Sequence, residues 1–192
     1  MSDALPSILV IAATDRELRT GPTWRSLRCG VGPVEAAAAT AAAIAEQRPS
    51  AVLHVGIAGA RRALALPPAA LVIGQAARYA DLDVLPAEWA PHEVAADPAL
   101  LAAAQRVLPT APVLLIGTSA RVGGTSDCDV EAMEGFAVLR AAQRAGVPAI
   151  EVRAISNDIE ERDRAAWHFA AAFEAITAAI PPLVQEFALC AR

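Results

Sequence analysis

The chain has 192 residues, enough for one domain that buries about 70% of the surface its unfolded form exposes. Hydrophobic residues make up 55% of it and the mean hydropathy is +0.40, but much of the excess is alanine, so a compact interior and an apolar subunit face are expected. A net charge of −5 and a pI near 5.2 argue against nucleic acid as a partner, because holding phosphates starts from a basic surface.

Ile8-Leu9-Val10-Ile11-Ala12-Ala13 is a short apolar run that predicts a first buried strand, with Thr14 to Glu17 in the loop after it. Residues 24–28 are expected to pair beside it. Gly30-Val31-Gly32-Pro33 opens an alanine-rich helix to Gln47, with Pro33 at the first helical position, where its missing N–H costs nothing, and Pro49 closing the helix. Residues 51–55 read as a second apolar strand, and Gly56-Ile57-Ala58-Gly59-Ala60 as a loop where backbone can approach a ligand. Further strands are predicted at 71–79, 112–117 and 149–155, and helices at 98–107 and 134–145, the second stopped by Gly146. The last helix starts near Arg164. Pro181-Pro182 is expected to break or restart it, since a proline in mid-helix loses a hydrogen bond and clashes with the preceding turn. Strands alternating with helices imply one α/β domain over residues 1–192, a mixed, mostly parallel central sheet flanked by helices on both faces. Such sheets bind ligands at the carboxyl ends of their strands.

No apolar run approaches the roughly 18 residues of a membrane span, and the N-terminus has no basic segment followed by a cleavable apolar one. A cytoplasmic protein with no membrane partner is expected. Cys29, Cys128 and Cys190 are odd in number and lack metal-ligand spacing, so neither a disulfide framework nor a metal is implied. Gly30-x-Gly32 lacks the third glycine of a dinucleotide fingerprint. Glu35 stands there instead, and its carboxylate would repel a pyrophosphate at the helix N-terminus, which disfavours a nicotinamide-dependent oxidoreductase; no cofactor is expected.

Chemistry should therefore sit in residues 14–17, 56–60, 118–124 and Ser156-Asn157, with Met133-Glu134 at a helix start beside them. Taken alone, Glu134 also reads as a first-turn acid favoured by the helix dipole. Arg153, a charge inside an apolar strand, needs a carboxylate partner, for which Glu17, Glu131 and Glu134 are the candidates. The order of these segments, with Val55-Gly56-Ile57-Ala58-Gly59, Ala77-Arg78-Tyr79, Met133-Glu134 and Arg153-Ala154-Ile155-Ser156, resembles the purine nucleoside phosphorylase and nucleosidase superfamily over nearly the whole chain. Within it, Arg153-Ala154-Ile155-Ser156-Asn157 followed by Arg162-Asp163-Arg164-Ala165-Ala166-Trp167 looks like the branch that removes hypoxanthine from futalosine in the alternative menaquinone route. The chain departs from related methylthioadenosine/S-adenosylhomocysteine nucleosidases at Asn157, where they have Asp, at Ile57, where they carry Ser, and at Arg121, where an aromatic stacks on the base.

The resemblance implies a small purine nucleoside as ligand and a homodimer or larger homo-oligomer. It implies that Met133 and Glu134 hold the ribose and that Ala58, Gly59, Val122, Arg153 and Ser156 complete the substrate site. Cleaving an N-ribosidic bond leaves positive charge on the sugar and negative charge on the departing purine. Glu17 is then the acceptor of the water proton and Glu134 the acceptor of the ribose hydroxyls, while Arg153 keeps the acids ionised and oriented. Asn157 donates from its NH₂ to O6 and N7 of a 6-oxopurine, whereas a protonated Asp suits adenine. Three alternatives stay open: a methylthioadenosine-type nucleosidase; a phosphorylase, with Arg16, Arg19, Arg61 and Arg62 near candidate loops; and a purine sensor that binds without turnover. Glu17 favours water over phosphate as nucleophile, because its charge opposes an anion. For the 5′ side of the substrate the candidates are residues 81–92, including Trp89, together with Arg121, Arg162 and Arg164. Trp167 reads as packing for the last helix, and His54 and His168 stay unassigned.

Overall fold

All five side chains of Ile8–Ala12 (β1) are buried, because the sheet that contains this strand is covered on both faces. The computed structural model describes residues 7–82, 86, 89–123 and 127–190. After β1 come Trp24–Arg28 (β2), Pro33–Gln47 (α1), Ala51–Ala60 (β3), Leu71–Tyr79 (β4), Glu93–Ala95 (β5) and Pro98–Val107 (α2). Val113–Thr118 (β6), Val130–Ala132 (β7), Gly135–Arg144 (α3), Ala149–Asp158 (β8) and Phe169–Cys190 (α4) complete the order. The strands form one eight-stranded sheet in the order β2-β1-β3-β7-β6-β4-β5, with β8 paired to both β3 and β4. Five pairings are parallel and three, β3 with β7 and β4 with β5 and β8, are antiparallel, so the expected mixed, mostly parallel sheet is present. These pairings close a ring through β3, β8, β4, β6 and β7.

Alternation along each strand divides the core between the two faces. Ile8 and Val10 pack with Leu100 of α2 and Ile176 and Ile180 of α4, whereas Leu9 and Ile11 pack with Ile44 of α1 and Val138 and Leu139 of α3. Helix α2 is started by Asp97, whose carboxylate accepts from the backbone N–H groups of Ala99 and Leu100, with Pro98 at the first helical position.

Four local expectations need correction. Residues 56–60 are not a loop but the second half of β3, and Ser156-Asn157 lie within β8 rather than after it. The cause is pairing: β3 and β8 run in parallel register from Val52↔Ala149 to Ala60↔Asp158, with one irregularity between Ala58 and Gly59, and that ladder overrides the weak strand propensity of glycine and asparagine. Helix α3 begins at Gly135 with Glu134 as its N-cap, and residues 164–166 form a separate 3₁₀ turn before α4 starts at Phe169.

Pro181 and Pro182 sit inside α4, which continues through them. Buried residues on both sides of the prolines, Ile176 and Ile180 before and Leu183, Val184 and Phe187 after, lie in the same core cluster, so tertiary packing holds the helix across two missing N–H groups. Among the described residues α4 is also long and apolar enough to cross a membrane by length and composition, but it is the helix that covers one sheet face.

Candidate active site

The carboxyl end of β1 and the distal halves of β3 and β8 converge with the β7–α3 junction on one cavity of 570 Å³. Glu17, Ala58, Gly59, Val122, Met133, Glu134, Ser156 and Asn157 all line it. Arg153 does not. It is 1% exposed and stands behind the wall, where its guanidinium occupies the space a side chain on Gly56 would take: a Cβ there would fall 2.1 Å from Nη1. Gly124, of the segments expected at strand ends, and residues 83–85, 87 and 88, of the stretch expected on the 5′ side of the substrate, lie outside the described residues.

Glu17 is 4% exposed and fully held. One carboxylate oxygen accepts from the N–H and hydroxyl of Thr14 at 3.0 and 2.7 Å, and the other from the N–H of Ile57 at 3.1 Å. Glu134 is 3% exposed and accepts from the N–H of Gly32 at 3.0 Å and from Nη2 of Arg153 at 3.4 Å. The glycine turn before α1, with Gly30 and Gly32 at φ of +83° and +91°, therefore holds a carboxylate of its own chain instead of a pyrophosphate. Burial pushes the Glu134 carboxyl above its ordinary value, partly offset by Arg153 and the Gly32 N–H.

Arg153 is the hub of a buried network. Its Nε donates to Glu151 at 2.6 Å and its Nη2 lies 2.6 Å from Nε2 of His54. Because Nδ1 of His54 is 3.0 Å from the carbonyl of Ile11, which can only accept, the ring proton sits on Nδ1 and Nε2 accepts from the guanidinium. Burial, followed by the charge of Arg153, holds His54 well below its usual range, so the ring is neutral. Sequence reasoning named Glu134 correctly as a partner of Arg153 but missed Glu151 and the role of His54. The signal for Glu151 was available, since residues two apart in a strand share a face and a second charge interrupts the same apolar run. Cys29, buried beside this network, is a neutral thiol pushed up to about 12 by burial and by the charge of Glu134.

Asn157 is half-buried and its amide orientation is fixed by its neighbours. Nδ2 donates to the carbonyl of Asp158 at 2.8 Å, and Oδ1 lies 2.8 Å from the hydroxyl of Ser156. A carbonyl can only accept, so the NH₂ must face it, which commits one of its two hydrogens and leaves the other without a partner among the described residues, one donor rather than the two expected for O6 and N7. Gly59 opposes this amide: a Cβ there would fall 3.1 Å from Nδ2.

Of the four arginines near candidate loops, Arg16 alone lines the cavity. Arg62 pairs with Asp158 at 2.9 Å and Arg61 with Glu160 at 3.9 Å. Arg121, Arg164 and Trp167 do line it, whereas Arg162, Trp89 and His168 do not. Trp167 is thus a cavity residue and not only helix packing. Among the described residues no cluster of His, Cys, Asp and Glu has the geometry to hold a metal ion.

A family model for the phosphorylase superfamily matches residues 18–187. The futalosine hydrolase of Streptomyces coelicolor is 37% identical over 186 residues, covering 83% of this chain and 78% of that protein. The chain belongs to the phosphorylase superfamily. Its fold is that of the superfamily's nucleosidases. The methylthioadenosine/S-adenosylhomocysteine nucleosidase of Colwellia psychrerythraea, solved with adenine, superposes with a TM-score of 0.83 at 19% identity, covering 95% of this chain and 96% of that one. The Neisseria meningitidis enzyme of the same name, in complex with methylthio-immucillin-A, gives 0.83 at 21% identity over 94% and 99%. The Helicobacter pylori futalosine hydrolase gives 0.80 at 16% identity over 95% and 98%.

Proposed function

We propose that this superfamily member is a nucleosidase that hydrolyses the N-ribosidic bond of a 6-oxopurine nucleoside, with futalosine as substrate and hypoxanthine and dehypoxanthine futalosine as products. The observation that carries the reading is the fixed amide of Asn157, which presents a donor to the same cavity as the carboxylates of Glu17 and Glu134. In this reading Glu134 and Met133 grip the ribose, and Glu17 takes the proton of the attacking water. Both carboxylates stabilise the positive charge that grows on the sugar. Asn157 has no proton to transfer outright and stabilises the leaving purine by hydrogen bonding.

A row of aromatic groups capped by arginines supports a substrate with an aryl acid on its 5′ side. Phe173, Phe169 and Trp167 follow one another at centroid separations of 6.1 and 5.4 Å, with Arg16 5.6 Å over Phe173 at one end and Arg164 5.8 Å over Trp167 at the other. All five residues line the cavity, and among the described residues neither arginine has a carboxylate partner. An aromatic lane ended by unpaired arginines suits a flat ring that bears an anion.

Water is favoured over phosphate because Glu17 puts a buried negative charge at the sugar and Arg19, Arg61 and Arg62 stay away from the cavity. The reading carries with it a cytoplasmic homo-oligomer. The groove between α1 and α3, lined by Val34, Ala37, Ala38, Ala41, Phe136 and Ala141, is the apolar surface that suits a second copy. The test is an end-point panel of futalosine, inosine, adenosine and methylthioadenosine, with and without phosphate, reading the free base. Phosphate-independent hypoxanthine release from futalosine is expected. Binding without release would make the protein a purine sensor, and a strict phosphate requirement would make it a phosphorylase.

A further inference from the structure

Arg153 has two carboxylate partners of unequal strength. Glu151 meets its Nε at 2.6 Å and Glu134 meets its Nη2 at 3.4 Å, with the three side chains 0, 4 and 1% exposed for Glu151, Glu134 and Arg153. Glu134 reaches the cavity; Glu151 does not. Its second oxygen has no hydrogen-bond partner among the described residues and lies against the start of α3, where a Cβ on Gly135 would fall 2.1 Å from it. Two glycines, Gly56 and Gly135, thus leave the room in which this ion pair fits. A wholly buried ion pair with one oxygen unsatisfied is a poor device for stability alone, since apolar side chains of similar volume serve as well or better. Its reason lies in what the pair does for Glu134, the residue that follows Ala132-Met133 and precedes Gly135.

We propose that Glu151 is a positioning residue: as the tight counter-ion of Arg153 it leaves Glu134 loosely held, so that the oxygen facing Arg153 across 3.4 Å keeps a lone pair for the sugar hydroxyls. The inference rests on the reading of Glu134 as the ribose carboxylate. Without a charge at Glu151, the whole attraction of a buried guanidinium would fall on Glu134, the 3.4 Å contact would close, and the carboxylate would be turned from the substrate. Every other group that faces Arg153 leaves this division intact. His54 is neutral and accepts from Nη2, the carbonyl of Ile57 accepts from Nη1 at 3.4 Å, the thiol of Cys29 is protonated, and Glu17 is held by Thr14 and Ile57.

Glu151→Gln keeps an acceptor for Nε and removes the charge. The Glu134 carboxyl, followed by ¹³C NMR and assigned by its loss in Glu134→Gln, is expected to titrate at lower pH in Glu151→Gln than in the wild type. The KM for the nucleoside is expected to rise about tenfold with a smaller change in kcat, the size of one charge-assisted hydrogen bond. An unmoved Glu134 titration overturns the proposal, and so does one that falls while KM stays at the wild-type value, because removing a nearby negative charge lowers a carboxyl titration by itself and only a turned carboxylate also weakens the hold on the sugar. Should Glu151→Gln not fold, Glu151→Asp, which keeps the charge but shortens its reach, is read the same way: a fall in the Glu134 titration is expected and an unmoved one overturns the idea. The NMR titration needs no turnover, so a wild type that cleaves no nucleoside sinks the functional reading, while the titration, with nucleoside affinity by calorimetry in place of KM, still decides the inference.

Discussion

The amide of Asn157 is held between an acceptor, the carbonyl of Asp158, and a hydroxyl, that of Ser156, so its polarity toward the cavity is set before any base arrives. Asn157→Asp replaces the donor by a carboxyl that accepts from a 6-amino group. The ratio of kcat/KM for adenosine over inosine is expected to rise about tenfold or more, read as released base, and an unchanged ratio would remove Asn157 from base selection. Glu17→Gln keeps the size of the side chain but cannot take a proton, and its NH₂ gives up the contact with either the Ile57 N–H or the Thr14 donors. Turnover is expected to fall by about 10² or more with little change in nucleoside affinity by calorimetry. At Glu134 the raised carboxyl titration ties function to a cost in stability. The folded form holds its proton to higher pH than the unfolded form, whose ordinary value is 4.5, so this group's stabilising contribution is complete below 4.5 and is lost as pH rises through the folded value. Two outcomes are expected. The acid limb of kcat/KM lies above the ordinary carboxylate value of 4.5, and the wild type loses stability relative to Glu134→Gln as the pH rises from 4.5, read as melting temperatures. An acid limb at or below 4.5 would contradict the first.

At the scale of elements, the site is made by pairs of strands that must approach closely. Gly56 on β3 faces Arg153 on β8 in register, and a Cβ at Gly56 would meet both the guanidinium at 2.1 Å and Oε1 of Glu17 at 3.0 Å. Gly56→Ala is therefore expected to lower the melting temperature, by the equivalent of about 1–3 kcal/mol of overpacking, and to reduce turnover by displacing both charges. Retained activity in a folded Gly56→Ala protein would mean that Arg153 has another place to sit. Sequence periodicity found β4, α1 and α2 at their observed bounds and β1 to within one residue, because an apolar run or a proline at the first helical position marks each of them locally, whereas Trp24–Arg28, with two arginines and a serine, was legible only as a partner for β1. It did not find β5 or β7, three residues apiece, whose only reason to be strands is the neighbour they pair with. The unbroken run of α4 through Pro181-Pro182 was likewise invisible, since the sheet face that holds both halves is assembled from β8 together with β1 and β3, the last two more than a hundred residues upstream.

For the whole molecule, covering both sheet faces leaves a largely apolar groove between α1 and α3. It is lined by Val34, 77% exposed, by alanines of both helices and by Phe136, Arg140 and Arg144. If that groove seats a second copy, Val34→Glu is expected to convert a dimer into a monomer in sedimentation velocity, because a charge would be desolvated without a partner. A wild type that sediments as a monomer would sink the assembly. Its effect on turnover then reports whether the cavity needs the neighbour, since Val31, beside this helix, lines the cavity and is 57% exposed.

The sequence by itself determined the layered architecture and several of the residues that meet at the cavity. Apolar periodicity assigns elements, and a covered, mostly parallel sheet brings its strand ends together, while the resemblance to the superfamily picked out Glu17, Met133, Glu134 and Asn157 among them. The tertiary structure alone decided how the charges are shared. How Arg153 divides itself between Glu151 at 2.6 Å and Glu134 at 3.4 Å is a difference of less than an ångström in a low-dielectric interior, set by the absent side chains of Gly56 and Gly135 and by the lone pair of His54. No local pattern encodes such distances, because each is fixed by backbone that another part of the chain supplies.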